Sequence, residues 1–290
     1  MVFLPETDIH IDHFRRKGGR LYLLSHFHSD HMYGLDDSRK RPILCSSITK
    51  KLLVHFKRIP EDCIQTLDPG EEIEAVPGFR VKAFEANHCP GAVMFLLRND
   101  RRNDLYTGDF RYCKAHEDEN ELYHEISTLY VDRTFESEDD RYDHPTQEVA
   151  VEQVVELVRA HPDKRILIGT YRIGKEKILI GIHRALGCKI AVSAERYELL
   201  RIIGMDSCAT LDEKETNVQA IHMRFFEQGF RERFPGLGRS TIIILPTGWA
   251  ADNCDGNGVF HVPYSEHNSS TELRAFIKRV NPRQIVSLHE

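Results

Sequence analysis

Residues 25–31 read Ser-His-Phe-His-Ser-Asp-His and directly follow the apolar run Leu21-Tyr22-Leu23-Leu24. Three imidazoles and a carboxylate thus fall within six residues, at the end of a segment whose pattern predicts a buried strand. Imidazole is the commonest neutral metal ligand, and His combined with Asp suits zinc. On an extended backbone His26, His28 and Asp30 share one face, where unpaired polar groups are costly. A bound metal removes that cost. The competing reading is a solvated His-rich loop. The hydrophobic strand abutting the segment, in place of turn residues on both sides, argues against it.

The surrounding chain has 290 residues, 41% of them hydrophobic and 29% charged. That is an ordinary globular composition, long enough for one large domain or two intimate ones. The longest apolar runs, such as residues 242–245, are far too short to cross a bilayer, so no membrane partner is expected. The start turns acidic by residue 6 and carries no secretory signal pattern. Seven cysteines, at 45, 63, 89, 113, 188, 208 and 254, are widely spaced with no C-x-x-C pair. They point to reduced thiols in an intracellular compartment and away from a cysteine zinc site. The net charge of −6 offers no global attraction for nucleic acid. A bound metal pair would add local positive charge, and short basic clusters stand at residues 15–17, 39–41, 50–51 and 101–102.

Short strand patterns dominate the first 135 residues, at 21–25, 42–45, 79–86, 92–97, 105–107 and 128–131, with a helix over 46–56. From about residue 145 the texture changes. Helical spacing of Val149, Val151, Val154, Val155 and Val158 is followed by alternating strands (165–169, 189–192, 241–245, 259–263, 284–288) and helices (175–185, 194–203, 270–280). This alternation predicts βαβ units and a mostly parallel sheet. A Gly/Asp/Asn-rich loop occupies 248–258.

A metal centre of two ions needs more ligands than one loop supplies. His88 in Asn87-His-Cys-Pro-Gly91, Asp109 in Thr107-Gly-Asp109 and His267 in Tyr264-Ser-Glu-His267 each follow a strand pattern. Singly, each is as well read as a structural or turn residue. Together they converge on one rim of a sheet, where α/β folds place their sites.

These residues, with residues 86–92, 106–111, 169–176, 246–249 and 263–267, resemble the metallo-β-lactamase fold, and more narrowly the β-CASP DNA cross-link repair nucleases, on the exonuclease side of that group. The resemblance runs from about residue 8 to 288. It implies an α/β fold: an αββα metallo-β-lactamase sandwich (1–145 and 259–290) with an inserted β-CASP α/β cap (146–258). It also implies one or two Zn²⁺ per chain, with His26, His28 and His88 on one ion, Asp30, His31 and His267 on the other, and Asp109 bridging. Asp12 and Asp132 match acidic residues of the family that support the ligands, and Asp30 is a group that can orient the nucleophile. Ser265 matches a position bordering a pocket for a terminal 5′-phosphate. The family has a small polar residue where Arg133 stands. The implied activity is 5′-to-3′ hydrolysis of phosphodiesters in DNA, single-stranded or bearing a 5′-phosphate, by a nuclear monomer in interstrand cross-link repair. A structure-selective endonuclease, an RNA-processing nuclease and a small-molecule metallo-hydrolase are the alternatives. A two-metal site suits in-line phosphoryl displacement at neutral pH.

Residues 169–175 fit G-x-x-x-x-G-K, but Glu176 replaces the Ser/Thr that a P-loop places on magnesium. A tight strand-to-helix turn is the plainer reading; the functional one sets Lys175 on a nucleic-acid phosphate. Arg111, two residues from Asp109, is the strongest basic candidate for such a contact. His55, His183, His222 and His261 sit in apolar patterns and read as packing residues, as does Cys89. Trp249, the only tryptophan, is read equally as a buried ring or as a base-stacking one.

Overall fold

The computed structural model describes residues 2–4, 8–15, 18–35, 41–137, 143–226, 240–249 and 258–288. Two compact units emerge, one formed by residues 1–141 with 267–290 and the other by residues 142–266.

The first unit holds two sheets. One runs in sequence order through β1 (Val2–Leu4), β2 (Ile9–Ile11), β3 (Leu21–Leu23), β4 (Ile43–Cys45) and β5 (Ile64–Thr66), parallel from β2 onward. The other contains β6 (Glu72–Val76), β7 (Phe79–Glu85), β8 (Val93–Arg98), β9 (Asn103–Tyr106) and β10 (Ile126–Val131), flanked beyond β10 by the closing strand Gln284–Ser287. Ile9, Ile11, Leu21, Leu23 and Leu44 from the first sheet pack with Val81, Ala83, Val93, Phe95 and Leu97 from the second in one apolar cluster. Burying such side chains stabilises the sandwich by roughly 1.5–3 kcal/mol each. The helix Ser47–Lys57, capped by Ser46 accepting from Thr49 N, packs against β5. The helix Ser270–Val280 covers the other sheet's side through Phe276, whose ring lies 4.7 Å from that of Phe110. Helix, sheet, sheet and helix are the expected αββα layers.

Strand direction positions the site. β2 and β3 are parallel, so Asp12 and residues 25–31 leave the first sheet at one edge. In the second sheet β8 runs opposite to both β7 and β9, and β10 parallels β9. The ends of β7, β9 and β10, which lead to His88, Asp109 and Asp132, therefore share an edge too.

The second unit is a parallel sheet of β11 (Arg165–Thr170), β12 (Ile190–Ala191), β13 (Ala209–Thr210), β14 (Val218–His222), β15 (Thr241–Thr247) and β16 (Val259–Pro263), ordered β13-β12-β14-β11-β15-β16. The helices Gln147–Ala160, Glu176–Leu186 and Ala194–Ile202 bury their apolar stripes on one face; Leu167, Ile243, Leu245 and Val259 form a smaller cluster on the other. Two details differ from expectation. Val259–Pro263 pairs with β15 rather than opening the return to the first unit, so that return begins at His267 and not at 259. Val218–His222, not anticipated as a strand because its residues mix polar and apolar types, lies inside the sheet between β12 and β11. Of the expected loop 248–258, residues 250–257 lie outside the described residues. Among the described residues no helix is long and apolar enough to cross a membrane, and Cys45, Cys63, Cys89, Cys113, Cys188 and Cys208 are free thiols.

Candidate metal centre

Asp109 is the hub. Its carboxylate belongs to three groups of side chains close enough to hold an ion: with His26, His28 and His88; with Asp30 and His31; and with Asp132 and His267. In the first group His26 Nε2 and His88 Nε2 lie 2.9 and 3.2 Å from His28 Nδ1, and each is 3.6 Å from Asp109 Oδ2. In the second, His31 Nε2 is 3.2 Å from Asp109 Oδ1 and 3.6 Å from Asp30 Oδ2. Three imidazole nitrogens converging with a carboxylate form a donor set that suits a divalent cation of intermediate softness. Every ligand named from the sequence is in one of these groups; Asp132 is in one as well.

Ring orientation is set from behind. Asp12, wholly buried and in the left-handed region at φ 51°, accepts from Ser25 N at 2.8 Å, Ser25 Oγ at 2.6 Å, His31 Nδ1 at 2.7 Å and Tyr106 Oη at 2.8 Å. Ser25 Oγ also lies 2.9 Å from His26 Nδ1. Asp132 accepts from His267 Nδ1 at 2.6 Å and from Thr134 N and Oγ1. A proton held on Nδ1 leaves Nε2 as the donor atom for a cation, the usual function of a carboxylate behind a ligand histidine.

The charges follow. Burial, reinforced by His31 and His28, holds His26 well below the usual imidazole range, so its ring is neutral. Burial opposes charge on His31 as well, yet the Asp109 and Asp12 carboxylates outweigh it and raise the ring well above that range. Burial likewise opposes the Asp109 carboxylate, but His31 and then His267 hold it well below the ordinary value. Burial, followed by Asp12, pushes the Tyr106 hydroxyl well up, so it remains a donor to that carboxylate.

The Asp109 loop is fastened on several sides. Gly108 adopts φ 54°, and a Cβ there would stand 2.8 Å from Ser25 Cβ, so the close approach of the two loops requires glycine. Asn87 Nδ2 donates to Arg111 O, Asn268 Nδ2 donates to Phe110 O, and Tyr112 N donates to Asn268 Oδ1.

Residues 7–169 match the β-lactamase superfamily domain, and residues 205–288 match the DNA repair metallo-β-lactamase family. The chain belongs to the metallo-β-lactamase superfamily. It is 35% identical to the 5′ exonuclease Apollo of Gallus gallus over 98% of this chain and 62% of that protein. It is 33% identical to the Rattus norvegicus Apollo over 99% and 54%. It is 32% identical to the DNA cross-link repair 1A protein of Mus musculus over 98% and 30%. The chain thus spans less than two thirds of each of these relatives. A crystal structure of a protein of unknown function from Enterococcus faecalis V583 shares the fold, with a TM-score of 0.66 at 17% identity, covering 93% of this chain and 75% of that one.

Within this metallo-β-lactamase frame, two expected phosphate contacts are corrected. Arg111 is buried, 2% exposed, and its Nε and Nη2 donate to the Glu272 carboxylate at 3.0–3.2 Å. Its charge is used inside the fold. Lys175 is 3% exposed; its Nζ donates to Pro246 O and lies 4.4 Å from the Tyr171 ring centre. Burial lowers its ammonium to about 8. The P-loop-like turn is filled by the protein's own acids: Glu176 accepts from Gly174 N, and Glu266 accepts from Lys175 N at 2.7 Å. Ser265 is buried in the second unit, its carbonyl accepting from Gln147 Nε2.

Other expectations divide. Cys89 is buried, and His55, His183, His222 and His261 are half-buried. Trp249 is exposed, not buried. Ser25 and Tyr106, which complete the Asp12 cluster, escaped the sequence reading. Their only mark was adjacency to the first histidine motif and to Thr107-Gly-Asp109.

Proposed function

We propose that this chain is a zinc-dependent 5′-to-3′ exonuclease acting on DNA in interstrand cross-link repair. The observation that carries the reading is the sharing of one buried carboxylate, Asp109, by three ligand groups, in a chain matched to the DNA repair branch of its superfamily. His26, His28 and His88 would hold one ion and Asp30, His31 and His267 a second, with Asp109 between them. Bound there, zinc supplies Lewis acidity and a hydrolytic nucleophile at neutral pH.

The chain's own residues do the positioning. Asp12 and Asp132 hold the protons of His31 and His267 on Nδ1. Asp30, whose side chain is 72% exposed, would orient the nucleophile. Ser265, two residues before His267, is assigned to the terminal 5′-phosphate. The second unit serves as the β-CASP cap that favours polymers over small substrates. A nuclear monomer is the matching cellular form.

End-labelled DNA with and without a 5′-phosphate tests this directly. The phosphorylated strand should be degraded faster, to mononucleotides, by protein containing one to two zincs. Equal rates on both ends, or internal cuts in hairpins as the main product, would replace the exonuclease reading with an endonuclease one. No cleavage by fully metallated protein would remove the nuclease reading altogether.

A further inference from the structure

Large aromatic side chains on a protein surface call for an explanation when they line up. Among the described residues Tyr33, Tyr171, Phe225 and Trp249 are the exposed aromatics. Tyr33 lies under the Arg15 guanidinium. The other three follow the carboxyl ends of β11, β14 and β15, at one, three and two residues past the strand. In the sheet those strands are immediate neighbours in the order β14-β11-β15, and all are parallel. Phe225, Tyr171 and Trp249 therefore stand in a row along the carboxyl edge, on strands about 4.8 Å apart.

Between the first two lies a cavity of about 650 Å³, lined also by Arg172, Arg196, Gln219 and His222. Its size is that of a small-ligand site, and it opens outside the carboxyl ends of parallel strands, the usual position of such sites in α/β sheets. The carboxylates of its wall are engaged: Glu195 pairs with Arg172 at 2.8 Å, and Glu213 accepts from Gln219 Nε2 at 3.0 Å. Arg196 gives both Nη atoms to Tyr171 O, Arg172 O, Gly174 O and Glu176, but its buried Nε has no acceptor among the described residues. The Arg224 guanidinium stands 5.0 Å from the Phe225 ring centre and adds positive charge at the surface. Planar rings interleaved with guanidinium groups suit unstacked bases on a phosphate backbone.

We propose that this edge is a stacking platform for single-stranded DNA, with bases on Phe225, Tyr171 and Trp249 and one base seated in the cavity between the first two. The proposal rests on the nuclease reading and deepens it by naming residues of the second unit that hold the strand. It makes the second unit a base-reading surface and not only a steric cap.

Trp249 is the single tryptophan of the chain and reports on its own stacking. Full-length metallated protein is titrated with a nuclease-resistant phosphorothioate oligothymidylate and with an abasic oligomer of equal charge. The oligothymidylate should quench tryptophan emission saturably, and the abasic oligomer should not. By anisotropy of labelled DNA, Phe225→Ala, Trp249→Ala and Tyr171→Leu should each weaken binding about ten-fold, while hydrolysis of bis(p-nitrophenyl) phosphate stays at the wild-type rate. Phe225 and Trp249 are exposed, so their truncation leaves the fold intact. Equal quenching by both oligomers, or wild-type affinity in the Phe225 and Trp249 variants, overturns the platform. Tighter binding of oligouridylate than of oligothymidylate overturns its assignment to DNA. Loss of ester hydrolysis in the wild type would instead strike the nuclease reading, and the binding assays would still decide the platform.

Discussion

Nδ1 of His31 lies 2.7 Å from Asp12 Oδ2, and Nε2 of the same ring lies 3.2 Å from Asp109 Oδ1. One imidazole thus joins a carboxylate that orients it to the carboxylate at the centre of the ligand groups. His267 repeats the arrangement through Asp132. The two pairs come from loops that leave different sheets, so the metal centre depends on the sandwich being correctly packed.

Replacing Asp12 with Asn keeps the shape and removes the acceptor capacity. Three donors, from Ser25, His31 and Tyr106, converge on Oδ2 alone, and an amide cannot receive them all. Metal affinity should fall about 10–100-fold, with about 1–3 kcal/mol lost from the stability of the metal-free protein. Chelator competition and urea unfolding measure the two separately. Wild-type zinc affinity in the variant would show that Asp12 does not orient the ligands.

Glu272 has two tasks: it accepts from Arg111, and it accepts from Ser269 N in the capping box of the helix Ser270–Val280. Glu272→Gln keeps a capping side chain but removes the negative charge facing the buried guanidinium; Glu272→Ala removes the cap as well. The expected destabilisation is about 1–3 kcal/mol for Gln and about 1 kcal/mol more for Ala, read by urea unfolding. For the same reason Arg111→Ala should lower stability and leave the salt dependence of DNA binding alone. A flattened salt slope with unchanged stability would restore Arg111 as a phosphate contact.

That reversal marks where the sequence stopped being readable. The grouping of residues 26–31 was legible because these side chains are contiguous, and that of His88, Asp109 and His267 because each follows a strand. Arg111 is only two residues from Asp109, but sequence distance does not say where a guanidinium points; its partner, Glu272, is 161 residues away. Lys175 and Gly174 fit a phosphate-binding pattern whose anions, Glu176 and Glu266, belong to the protein itself. Val259–Pro263 is a plain apolar strand, and nothing in its composition distinguishes pairing with β15 from pairing in the first unit. Local chemistry was legible; partners supplied by distant segments were not.

Lys175 carries a pH signature. Burial lowers its folded value to about 8 against the ordinary 10.5. Below about pH 8 the amine is charged in both the folded and unfolded states and its contribution does not vary. Between there and pH 10.5 the unfolded chain binds more protons, so stability rises with pH. The gain is about 3 kcal/mol for a difference of this size. Lys175→Met cannot titrate. The unfolding free energy of the wild type, less that of the variant, should therefore increase by this amount from pH 7.5 to 10.5. A pH-independent difference would mean that the ammonium is not desolvated.

Asp109→Asn is the sharpest probe of the centre. The substitution preserves volume, and the loop stays fastened through Asn87, Asn268 and the Arg111–Glu272 pair. The fold should survive, with a cooperative unfolding transition like that of the wild type. What changes is the one carboxylate common to His26, His28 and His88, to Asp30 and His31, and to Asp132 and His267. A neutral amide cannot balance two divalent charges. Bound zinc should fall to at most one per chain by elemental analysis, and DNA cleavage should drop by at least about 10²-fold, the order expected when a charged group stabilising the transition state is lost. Cleavage at the wild-type rate with full zinc content would place the catalytic centre elsewhere.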